Sequence, residues 1–325
     1  MSPNTQLPAV HSRLEHFPIS FFAVVMGVAG LAIALHKAGR FSPVLGTAGL
    51  VIAGLAGAVF LMILAVYALK IMRHPAAVVA EFHHPVRLHF IPASTIGLLL
   101  IGISFVDIVP DLSHALFLIA APMHLVLTLM VLNQWINRDH FQVPHLNPAW
   151  FIPIVGNILV PILGVPLGYI EVSWMYFSIG IVFWLPIFAL ILNRVLFHNP
   201  IPERLAPTLF ILIAPPAVGF LAYLRLTGAL DGFARILYYF ALFLTVVLAT
   251  QVPRLSRLRF FLSWWAYSFP MAAITIASLT MAELTGKTGF LILGLGLLVL
   301  VVLIVGGLII RTLAGLRSGE FCQPE

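Results

Sequence analysis

The stretch WWAYSFPMAAITIAS, Trp264 to Ser278, sets the bulky ring of Phe269 directly before Pro270, inside an apolar segment long enough to cross a membrane. Ser263, Ala266, Pro270, Ala273 and Ala277 recur at three- and four-residue steps, so on a helix they form one stripe of small side chains. Phe269 is the one large ring beside that stripe. The following proline disfavours the ordinary helical conformation at position 269 and so fixes where the ring points. The ring can plug a narrow passage, or it can be a core aromatic at a helix interface.

The whole chain shares this character. Of its 325 residues, 61% are hydrophobic and 9% charged, whereas a soluble domain carries about 25% charged residues. A water-soluble surface cannot be built from so few charges, and the expected fold class is an all-α polytopic membrane protein. The N-terminus shows no short apolar core followed by small residues and is read as a cytoplasmic lead, not a signal peptide. The single cysteine, Cys322, excludes an intrachain disulfide and any cysteine-based metal site. No nucleophile arrangement, phosphate loop or nucleic-acid motif is present, so neither a cofactor nor a nucleic-acid partner is expected.

A crossing helix needs about 20 mostly apolar residues. Ten segments qualify, at 17–36, 43–71, 87–107, 112–136, 150–169, 173–196, 206–226, 231–250, 259–284 and 288–313. Links after odd segments are mostly short (DIVPD, IEV, ELTGKT) and those after even segments longer (RHPAAVVAEFHHPV, NRDHFQVPHLNP). Short links favour antiparallel neighbours, so the expectation is five helical hairpins. Of the Lys and Arg residues, twelve fall on the side holding the N-terminus and five on the other. By the positive-inside rule both termini are cytoplasmic and the protein sits in the inner (plasma) membrane. The division is an N-terminal lead (1–16), a ten-helix transmembrane domain (17–314) and a C-terminal tail (315–325).

Proline is distributed unevenly. Odd segments contain Pro18, Pro92, Pro153, Pro161, Pro166, Pro207, Pro215, Pro216 and Pro270, while even segments contain Pro43, Pro122 and Pro186. A proline inside a helix removes a donor and frees a carbonyl, which in a membrane must find a partner in protein or water. Kinked helices therefore belong inside around a cavity, and straighter ones outside against lipid. Small residues line up on the odd segments too: Gly27 and Gly30 in the first, Gly97 in the third, Gly156 in the fifth, Pro215 and Gly219 in the seventh. These are expected to line a pore or mark its kinks; close helix packing is the competing explanation. Asn157 either satisfies carbonyls released by Pro153 and Pro161 or faces the pore.

No Asp, Glu, Lys or Arg lies near the middle of any segment. A cation pathway would carry carboxylates. An uncharged path with a basic mouth suits small anions, and Arg87 is a candidate for drawing them to the cytoplasmic end. His74, His83, His84 and His89 cluster around one loop. A metal site or a His-dependent membrane enzyme is one explanation. The other is that the histidine and arginine of HPVR cap the third helix and fasten it to its neighbours. Mid-segment His124 suggests a hydrogen bond to a neighbouring helix, a subunit contact or a proton relay.

EFHHPVRLHFIP (Glu81 to Pro92) and WWAYSFPM (Trp264 to Met271) resemble signatures of the family that joins bacterial tellurite-resistance transporters to plant guard-cell slow anion channels. MGVAGLA (Met26 to Ala32), NPAWFIPIVGN (Asn147 to Asn157) and IAPPAVGFLAY (Ile213 to Tyr223) fit in the same order, so the resemblance spans nearly the whole chain. It implies five hairpins in quasi-fivefold arrangement, odd helices around a central pore, and a homotrimer in the lipid bilayer with one pore per subunit. It also implies an occluding phenylalanine at Phe269 and a second pore-facing aromatic at Phe22. SFPM is closer to the plant form, since the bacterial form carries glycine where Pro270 stands. The long phosphorylated termini of the plant channels have no counterpart in the sequence, so kinase control is not implied. The expected function is a small-anion channel, the alternative being a proton-coupled or facilitative carrier for C4-dicarboxylate, sulfite or tellurite.

Overall fold

The structure, a computed structural model, describes residues 13–139 and 141–323. Most of the expected lead (1–12) and the last two tail residues (324–325) lie outside the described residues. Ten apolar helical spans follow one another: α1 (Ile19–Ala38), α2 (Pro43–Arg73), α3 (Arg87–Phe105), α4 (Pro110–Asn137), α5 (Pro148–Gly164), α6 (Ile170–Phe197), α7 (Ala206–Thr227), α8 (Gly232–Ala249), α9 (Leu262–Thr285) and α10 (Thr288–Ser318). Nine are long enough to cross a bilayer unaided, α5 being the short one, and no strand occurs among the described residues. The protein is a multi-pass membrane protein. A short helix, Pro75–His83, connects α2 to α3.

The odd and even spans are built differently. Each odd span contains a 3₁₀ segment leading into an α-helix: Ile19–Phe21 in α1, Arg87–Phe90 in α3, Pro148–Trp150 and again Gly156–Leu159 in α5, Ala206–Ile213 in α7, Leu262–Tyr267 in α9. The prolines stand at these junctions. Pro92 caps the α-helix that starts at Ala93, Pro215 and Pro216 lie in the turn that starts at Ala214, and Pro270 in the turn that starts at Ser268. In a first turn the missing N–H has no intrahelical partner to lose, so these prolines set the bend at little cost. Nearby hydroxyls take up exposed carbonyls: Thr95 donates to Pro92 O at 2.8 Å and Ser268 to Trp265 O at 2.6 Å. The even spans run as continuous α-helices, with Pro122 and Pro186 tolerated inside α4 and α6.

Burial separates the same two sets. In the odd spans α1, α3, α7 and α9, 61–78% of the most apolar window is buried, against 28–39% in the even spans. In α5 every residue is buried except Trp150 and Ile162. The odd spans close a ring, α1 on α3, α3 on α5, α5 on α7, α7 on α9 and α9 on α1. Each even span packs on the odd span before it and on the odd span after it, α10 returning to α1. This is the quasi-fivefold array of hairpins. The repeat is visible at two turns. α7 and α9 both end in Thr-Gly, with Gly228 and Gly286 at φ of +68° and +66°, a conformation that only glycine adopts without strain. Thr227 and Thr285 each donate to the carbonyl four residues back.

Candidate conduit and gate

A cavity of about 1240 Å³ is lined by the N-terminal halves of the odd spans. All five odd spans contribute to its wall, and the lining positions furthest along each span are Met26, Ile96, Leu159, Val218 and the adjacent pair Phe269 and Pro270. The mouth is cationic. Arg87, Arg204, Arg259, Arg311 and Lys70 line it together with three carboxylates, Glu15, Glu81 and Glu320. Four residues further along the same helix faces stand Gly30, Leu100, Leu163, Ala222 and Ala273, all buried. Between the mouth and that level the lining carries no charged side chain.

Phe269 is among the lining positions furthest along α9, with 9% of its surface exposed. It sits at the second position of the α-helical part of α9, where the backbone turns out of the 3₁₀ segment. Gly30 of α1 faces it, and a Cβ there would stand 3.4 Å from Phe269 Cδ2, at ordinary contact distance. Ala266 and Pro270 line the cavity on either side of the ring, and Ala273 is buried one turn beyond.

Other expected pore residues are placed elsewhere. Phe22 is 1% exposed, absent from the cavity wall, and turned toward α2, where its ring centroid lies 5.5 Å from Phe60 and 6.3 Å from Tyr67. The expectation of a second pore-facing aromatic at Phe22 is corrected accordingly: the ring fills the α1–α2 interface. A Cβ on Gly27 would meet the Ser268 hydroxyl and Trp265 ring of α9, and one on Gly97 would meet Val25 and Phe60. Gly219 faces Leu237 and Ile181. These three glycines serve close packing between helices. Pro215 and Gly156 do line the cavity, as does Arg87 at its mouth.

Asn157 is fully buried on the α4 side of α5. Its Nδ2 donates to Ile154 O at 2.7 Å and to Thr128 Oγ1 at 3.0 Å, and lies 3.4 Å from Pro153 O. Of the two roles open to it, the one observed is satisfying carbonyls at the break. Thr128 also reaches Pro153 O at 2.6 Å. His124, one turn earlier on α4, bonds Thr95 Oγ1 through Nδ1 at 2.8 Å, and its Nε2 lies against Gly156. Pro92 and Pro153 thus mark bends stapled to α4, away from the cavity wall. His84 accepts from the backbone N–H of Val86 and Arg87, capping α3. His89 stacks on Trp150 and accepts from Trp135 Nε1 at 3.0 Å, tying α3 to α4 and α5. Among the described residues no three His, Cys, Asp or Glu side chains converge as metal ligands.

The family model of the voltage-dependent anion channel SLAC1 matches residues 16–313. The chain belongs to the SLAC1 family. Its curated relatives within reach include the S-type anion channel SLAH3 of Arabidopsis thaliana, 29% identical over 92% of this chain and 48% of the relative. An uncharacterized transporter of Methanocaldococcus jannaschii is 25% identical over 97% of this chain and 99% of its own length. The tellurite resistance protein TehA homolog of Haemophilus influenzae is 24% identical over 94% and 92%. The chain spans about half the length of the plant SLAC1-family channels it matches. Within this SLAC1-type frame, two groups on the cavity wall have no signal in the sequence pattern. One is the Lys70–Glu81 pair; the other is the tail, where Phe321 packs on Phe21 and Phe260 and Cys322 lines the mouth.

Proposed function

We propose that the protein passes small inorganic anions along the axis of the odd-helix ring, with Phe269 as the ring that occludes the path. The observation that carries this reading is the combination at one cavity: arginines at the mouth, an uncharged lining beyond them, and Phe269 among the furthest lining positions. Arginines raise the local anion concentration. The absence of charge further in leaves nothing to hold an anion too tightly for release. The names of the plant relatives, S-type anion channels, support the same class. In this reading residues 17–314 form the conduit, both termini are cytoplasmic in the inner membrane, and three copies assemble with one conduit each.

A carrier is favoured by one observation: a relative matched over nearly its whole length carries the name of a transporter. Bilayer recording of the purified protein separates the two readings. A channel conducts in continuous single-channel steps and reverses at the anion's equilibrium potential. Phe269→Ala is expected to raise flux by about tenfold or more, the effect of lowering a barrier by ~1.4 kcal/mol. Unchanged flux in well-folded F269A protein would reject the gate.

A further inference from the structure

The gate makes no use of the ion pair on the vestibule wall. Lys70, near the end of α2, and Glu81, on the connecting helix Pro75–His83, are 1% and 2% exposed, yet both line the cavity. Lys70 Nζ lies 3.0 Å from Glu81 Oε1 and donates to Phe17 O at 2.8 Å. Its third N–H has no protein acceptor among the described residues. Tyr67 donates its hydroxyl to Glu81 Oε2 at 2.7 Å. Glu81 is the one buried carboxylate residue among those described.

Such a pair is an expensive way to pin a helix. Two buried charges lose much of their hydration, and an apolar pair of similar volume holds as well or better. Beside a cavity that draws anions, however, the pair has a natural competitor. An anion in the vestibule seeks the same ammonium that Glu81 neutralises.

We propose that Lys70 is an anion-binding group masked by Glu81, and that protonation of Glu81 unmasks it for a small inorganic anion from the vestibule. This rests on the reading of the cavity as an anion path. The exchange balances: one proton adds to the Glu81 carboxylate, one anion takes its place at Lys70 Nζ, and the net charge of the site is unchanged. The Phe17 carbonyl keeps its bond to Lys70 throughout. Proton and anion then bind with mutual coupling, each raising the affinity for the other. A conduit with such a wall responds to acid on the mouth side.

Other titratable groups share this wall. Arg87 comes from α3, Arg204, Arg259 and Arg311 from the ends of α7, α9 and α10, and His84 is held by the α3 cap, while Tyr67 of α2 bonds Glu81 from off the wall. Glu15 and His16 come from the segment before α1, and Glu320 and Cys322 from the tail. Burial pushes the Cys322 thiol up, with Lys70 and Arg13 acting the other way. The variants below separate Glu81 from these.

The test reads binding, not passage. The full chain is purified in detergent and its thermal midpoint compared in sodium chloride and sodium gluconate at equal ionic strength. In wild type, chloride is expected to leave the midpoint unchanged at neutral pH and to raise it in mild acid. In Glu81→Gln, whose one oxygen remains an acceptor for Lys70 while its amide NH2 can donate to the Tyr67 hydroxyl, chloride is expected to raise the midpoint by about 2–4 °C already at neutral pH. In E81Q with Lys70→Met the response is lost. A flat E81Q, a response surviving in E81Q/K70M, or an acid-dependent step persisting in E81Q (which would point to His16 or His84) overturns the proposal. Should E81Q fail to fold, the wild-type comparison decides alone, because a response equal at both pH values rejects the masking. Chloride binding without liposome flux would leave this site standing and sink the proposed transport; flux without the binding pattern would do the reverse.

Discussion

Gly30 of α1 and the ring of Phe269 are in direct contact: a Cβ on residue 30 would stand 3.4 Å from Phe269 Cδ2 and 3.1 Å from Ala272 Cβ. A methyl there would touch the ring at ordinary contact distance and crowd Ala272 more closely, so a branched side chain would press on both. Gly30→Val is expected to destabilise the protein by about 1–3 kcal/mol through overpacking. In the F269A background the part of that cost owed to the ring should vanish, a coupling of about 0.5–3 kcal/mol, while the part owed to Ala272 stays. Unfolding midpoints of the four proteins in the cycle measure it. Equal cost of G30V in both backgrounds would mean that the ring is held by something other than this contact.

Asn157 separates a staple from a pore residue. Its amide serves carbonyls at the α5 break, and its Oδ1 has no partner, so Asn157→Leu removes bonds without stranding a new donor on the side chain. The freed Ile154 carbonyl makes the change unfavourable by about 2 kcal/mol. Anion selectivity, read as reversal potentials in mixed chloride and nitrate, should stay the same. A shifted selectivity would return Asn157 to the conduit wall.

Much of this architecture was legible because lipid imposes few choices. Apolar length locates all ten spans, with ends within about five residues of those observed, and proline distinguishes the inner set. The cause was partly different from the one inferred. The inner prolines Pro92, Pro215 and Pro270 stand at 3₁₀-to-α junctions in or beside first turns, where they cost little, instead of breaking long helices. Facing was harder. Periodicity puts Gly27, Gly97 and Gly219 on faces of inner helices but cannot say which neighbour a face meets, and every inner helix has several. Phe22 was placed in the pore by resemblance and is found against α2. The Lys70–Glu81 pair was invisible for another reason: it forms only because the connecting helix folds back on α2, which no local pattern specifies.

The small-residue stripes can be sorted by substitution. At Gly27 a Cβ would come within 2.2 Å of Ser268 Oγ and 2.7 Å of the Trp265 ring, while at Gly57 of α2 nothing lies within 4 Å. Gly27→Ala is expected to lower stability by about 1–3 kcal/mol. Gly57→Ala is expected to be neutral or stabilising, by up to about 0.5–1 kcal/mol, since alanine is the better helix former. Detergent-solubilised thermal midpoints measure both. A larger loss at Gly57 than at Gly27 would show that the α1–α9 seam is not where close approach matters.

The arginine mouth makes a prediction that salt decides. Arg259 and Arg311 are exposed side chains on the cavity wall, so their influence on an approaching anion passes through solvent. Screening lengths fall from about 30 Å at 10 mM to about 3 Å at 1 M salt. Replacing both by Gln is expected to cut anion flux by about threefold or more at the low end and to leave it nearly unchanged at the high end. The same salt-dependent ratio should appear in the F269A background, because attraction acts at the mouth and occlusion further in. Flux into liposomes at the two salt concentrations, compared across the four proteins, reads both effects. A loss equal at both concentrations would mean that these arginines hold the fold instead of gathering anions, and the electrostatic part of the mechanism would fall.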